Sequence, residues 1–110
     1  MVDELKVTPG RGGNRHPLSV RGFILGHLAA TDEDYIANMH RAFKAELVRI
    51  ASENGRRRPY HKPVYHSFEM AVQMLTREGL IEFSGREEES DYPQFADWEN
   101  KPLRRYYRLR

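Results

Sequence analysis

VYHSFEMAVQMLTREGLIEF, residues 64 to 83, is the stretch from which the rest of the chain is read. Val64, Phe68, Ala71, Val72 and Leu75 fall on one face at helical spacing. Tyr65, His66, Glu69, Met70, Gln73 and Arg77 lie elsewhere on that helix and form an unusually polar outer face. Gly79 stops it, because glycine alone enters the left-handed conformation of a helix end without steric cost. Beyond it Leu80, Ile81, Glu82 and Phe83 abandon the helical period and read as a short strand. Its partner is LRRYYRL, residues 103 to 109.

Upstream, the two prolines of RRRPYHKP, residues 56 to 63, forbid a continuous helix, so this basic segment is a turn delivering the helix that follows. Before it, Ile36, Met39, Phe43, Leu47 and Ile50 make a long amphipathic helix that leaves Arg41, Lys44 and Arg49 outward and ends at Gly55. Thr31 with Asp32, Glu33 and Asp34 reads as the start of that helix, a hydroxyl cap followed by acids at the positive end of the dipole. Leu18 to Ala30 reads as a first core helix, weakened by Gly22 and Gly26. Residues 1–17, rich in glycine, proline and arginine, read as a flexible basic arm. The expected domain is 18–110, an α+β fold with three helices and a C-terminal two-stranded hairpin.

Its 110 residues suit one domain, and 39% hydrophobic content allows a packed core. The absence of cysteine excludes disulfides, thiolate metal sites and a thiol nucleophile. No segment has the length of a signal peptide or membrane span, so a cytoplasmic protein without membrane contact is expected. The net charge of +2 hides an asymmetry. Residues 87 to 99 hold six acids and no Lys or Arg, leaving eighteen bases against ten acids elsewhere. Such a distribution signals either a polyanion partner or a solvated surface with one acidic loop.

Leu75, Thr76, Arg77, Glu78, Gly79, Leu80, Ile81 and Glu82, followed by Arg105, Tyr106, Tyr107, Arg108 and Leu109, resemble the helix-to-wing passage of winged helix-turn-helix regulators of the PadR and MarR types. The resemblance implies a winged-helix domain in a small transcriptional regulator, with the helix near 64–78 laid in the major groove of double-stranded DNA. The wing loop is longer and more acidic than in those families.

Arg56, Arg57, Arg58, His61 and Lys62 stand where cations reach phosphates beside a groove, although a solvated turn at a helix end would also carry them. Tyr65, His66, Ser67, Glu69, Met70 and Gln73 are the candidate groove-facing residues, with Arg77 at the far end. Ser67 has a second reading as a helix cap, and Glu69 would repel phosphate unless it accepts from cytosine or balances an arginine. Tyr60, Tyr65, Tyr106 and Tyr107 read as core and sheet residues rather than base-stacking platforms. Phe95 and Trp98 either dock on the helices or anchor a partner.

Pro63 keeps His61 and His66 off one helical face, and no catalytic constellation is visible, so neither an enzyme nor a metal or other cofactor is expected. A protein-docking module, an RNA-binding component of a larger assembly and a homodimer remain as alternatives.

Overall fold

Ser19 starts the first helix by accepting the Gly22 amide N–H at 3.0 Å, the bond expected of a hydroxyl cap. The computed structural model describes residues 18–110, and the arm read at 1–17 lies outside them. Three helices, α1 (Val20–Thr31), α2 (Ile36–Glu53) and α3 (Tyr65–Arg77), combine with strands β1 (Glu33–Tyr35), β2 (Ile81–Glu89) and β3 (Leu103–Leu109). A 3-10 turn at Pro93–Phe95 interrupts the connection between β2 and β3.

Each helix turns its apolar stripe to a shared centre. Ile24 and Leu28 come from α1, Met39, Phe43 and Leu47 from α2, and Phe68, Val72 and Leu75 from α3, with Ile81 of β2 closing the cluster. Full burial of each such side chain contributes about 1.5–3 kcal/mol, which fixes the rotation of every helix about its axis. Phe43 is the hub: Phe23 meets it edge-on at 5.1 Å and Phe68 packs tilted at 5.7 Å.

Two expectations are corrected. The segment Thr31 to Asp34 does not start α2. Thr31 ends α1 and its hydroxyl donates to the His27 carbonyl at 2.9 Å. Asp32 turns the chain with φ of 72°, and Glu33–Tyr35 then forms β1. The reason lies far away in sequence, since Glu33, Asp34 and Tyr35 pair with Arg108, Tyr107 and Tyr106. The sheet therefore has three antiparallel strands in the order β1-β3-β2, not two.

The second correction concerns the acids. Glu87, Glu88 and Glu89 belong to β2, opposite Arg105, Arg104 and Leu103, rather than to a loop. Glu82 accepts from Arg108 at 2.8 Å and Glu87 from Arg105 at 2.9 Å. Asp91 accepts from Arg104 at 2.7 Å. Cross-strand pairing of opposite charges offsets the poor strand propensity of glutamate. A bulge between Phe83 and Glu87, with Gly85 at φ of 93°, lets Arg86 fold over the sheet. Its guanidinium lies 4.0 Å from the centre of the Tyr106 ring and bonds Glu33 of β1 at 2.9 Å.

Candidate nucleic-acid interface

The basic turn between α2 and α3 is held at both ends. At its start, Gly55 with φ of 69° ends α2, and the Arg56 N–H returns to the Ala51 carbonyl at 2.9 Å. At its end, buried His40 donates through Nε2 to the Pro63 carbonyl at 2.8 Å. Between them Tyr60 packs against the core, and Arg56 stacks on its ring at 4.0 Å while donating to the Arg58 carbonyl. Arg56 thus shapes the turn. Arg57, Arg58, His61 and Lys62 are exposed, and among the described residues their side chains make no ion pair with this chain.

This turn hands over to α3, whose inward face is set by Phe68, Val72 and Leu75. His66, Ser67, Met70, Gln73, Met74 and Arg77 are exposed on the rest of the helix. Ser67 is not the cap: Val64 occupies that position and no side chain bonds the first-turn amides. Tyr65 is half out of water, edge-on to His40 at 5.7 Å, and its phenol pKa is raised first by burial and then by the Glu69 carboxylate. Glu69 is partly buried and sits 3.7 Å from His66 Nδ1, to one side of the exposed row. The acid therefore borders the row, paired with His66.

The far end of α3 is closed by Gly79, with φ of 80°, which lets the Gly79 and Leu80 amides bond the Thr76 and Leu75 carbonyls at 3.1 and 3.0 Å. Arg77 stands here, its guanidinium 3.8 Å from the Met74 sulfur. Sequence reasoning missed Arg110. Its backbone N–H bonds the Leu80 carbonyl at 3.1 Å, and its guanidinium lies 3.5 Å from where a Gly79 side chain would begin. Only the pairing of Ile81 with Leu109 brings it there. Met74 was missed as well, because its residue type reads as core. Cations accordingly stand at both ends of α3, although Arg110 pairs with Glu82 at 3.9 Å and Glu78 beside Arg77 pairs with Arg21; the helix's thirteen residues span about 20 Å at 1.5 Å per residue.

Tyr106 is buried and Tyr107 half-buried, as the sheet reading of these tyrosines expects. In the β2–β3 connection Phe95 stacks edge-on with Trp98 at 4.7 Å, and the Tyr92 hydroxyl accepts from Arg41 of α2 at 3.2 Å. The connection therefore docks on α2, while Trp98 stays 53% exposed. A cleft of about 280 Å³ lies between this connection, the start of α2 and α3, with Tyr35, Tyr65, Glu69, Tyr92 and Phe95 among its walls.

His61 and His66 are both exposed, and no cluster of three or more His, Asp or Glu side chains suited to a metal ion occurs among the described residues. None of their helices is long and apolar enough to cross a membrane. No protein-family model, curated protein or solved structure matches this chain.

Proposed function

We propose that residues 18–110 are a winged-helix domain that binds duplex DNA with α3, in the manner of a small transcriptional regulator. The element order α1-β1-α2-α3-β2-β3 and the strand order β1-β3-β2 support that fold. One observation carries the function: an exposed helix face whose bordering acids are paired, Glu69 with His66 and Glu78 with Arg21, adjoins an anchored turn whose Arg57, Arg58 and Lys62 have no counter-charge among the described residues. Elsewhere the arginines of β3 are engaged by Glu82, Glu87, Glu88 and Asp91, so they are less available to a polyanion than the cations of the turn. Phosphates take those cations, which position the domain, and the neutral residues of α3 then meet base edges.

A protein-docking role is the second reading, and it rests on Trp98, exposed between Asp97 and Glu99. A gel-shift comparison of duplex DNA, duplex RNA and single strands of equal length separates these readings. Tightest retention of duplex DNA is expected. Equal or tighter retention of RNA duplexes transfers the function to RNA, and no retention of any nucleic acid leaves the docking role as the better account.

A further inference from the structure

Met70 and Met74 are 40% and 44% exposed although Phe68, Val72 and Leu75 on the same helix are fully buried. Neither belongs to the hydrophobic core. Gln73 is exposed too, one turn from Met70 (i, i+3) as Met74 is (i, i+4), and residues three and four apart on a helix stand about 5–6 Å from one another. The row therefore offers an amide beside Met70, with Met74 on the far side of Met70, and cations at either end of the helix.

We infer that α3 reads adjacent A·T base pairs, Gln73 bonding adenine while Met70 and Met74 cover thymine methyl groups; this rests on the duplex-binding reading above. The thymine C5 methyl is the apolar group that a base pair presents in the major groove, and adenine is the base whose N6 and N7 match a side-chain amide in two places. Cytosine is read through its amino group by a carboxylate, and this row has none, since Glu69 is partly buried in the wall of the neighbouring cleft. Guanine is read by arginine or lysine, and on this row Arg77 at the far end is the single such side chain. The roughly 5–6 Å from Met70 to Gln73 and to Met74 is between one and two steps of 3.4 Å along one strand, so the three side chains fall within two to three consecutive pairs.

The test begins by selecting duplexes from a random pool with the full chain, then replacing thymine by deoxyuridine in the selected site, which removes only the methyl group. Adjacent A·T pairs are expected at the centre of the site, with binding weakened about fourfold for each contacted thymine that loses its methyl. The double variant Met70→Ala/Met74→Ala, with unchanged circular dichroism, should bind the thymine and uracil duplexes equally. A selected site built on G·C pairs, or uracil duplexes held as tightly as thymine ones by the unaltered protein, overturns this inference and leaves duplex binding standing. Failure to retain any duplex from the pool removes the underlying reading and this inference with it.

Discussion

Tyr106 shows how one residue couples the sheet to the charges above it. The residue is 7% exposed, Arg86 lies across one side of its ring and Tyr35 meets it edge-on at 5.3 Å. Its hydroxyl donates to Glu88, which also faces Arg86 and Arg104, each at 3.3 Å. Burial first, and the Glu88 hydrogen bond second, push the phenol pKa up to about 12, because the anion would lose its water and meet a carboxylate. A pKa raised on folding contributes stability that is complete below the unfolded value near 10 and is lost as pH rises through about 12. An ultraviolet titration of the tyrosines should therefore end with one phenol ionising near pH 12. Tyr106→Phe should delete that last step. An unchanged final step in the variant would place the perturbed phenol elsewhere.

Among the elements, β1 does most with least, since three residues tie together both flanking helices and the central strand. Asp34, buried in β1, accepts from His27 of α1 and Asn38 of α2 at 2.7 Å each and from the Tyr35 amide at 2.8 Å. Asp34→Ala strands these donors, and a loss of about 3 kcal/mol in urea-unfolding stability is expected. A loss under about 1 kcal/mol would mean that water replaces the carboxylate and that β1 is not a structural joint. The sequence of this element misleads for a physical reason. Thr31 and the acids after it carry the local chemistry of a helix cap, whereas the pairing with Arg108, Tyr107 and Tyr106 that makes them a strand is non-local. The same cause extends β2 through Glu89: its glutamates disfavour a strand locally and are held in one by arginines of β3. By contrast α3 and β3 are legible, because core-directed periodicity and the Gly79 stop are properties of the segments themselves.

For the molecule as a whole, the site is legible in the sequence as residue types but not as a charge map. The six acids at 87–99 look uncompensated along the chain, yet Glu87 and Glu88 of β2 and Asp91 just after it are paired with Arg104 and Arg105 of β3. Those arginines are thereby withdrawn from any polyanion, as is Arg56 in part by its stacking on Tyr60. The duplex-binding claim consequently rests on Arg57, Arg58 and Lys62, whose charges adjoin α3 without an internal partner among the described residues. The measurement that tests it most directly is the salt dependence of duplex DNA binding for the parent chain and for Arg57→Ala/Arg58→Ala/Lys62→Ala. These side chains are exposed, so the melting temperature should stay within a few degrees of the parent's. Taking three cations away from the phosphates should weaken binding to all duplexes alike and flatten the logarithmic salt slope by about three units. A triple variant that binds at low salt as tightly as the parent, with an unchanged slope, would contradict the claim that this turn and helix form a nucleic-acid interface.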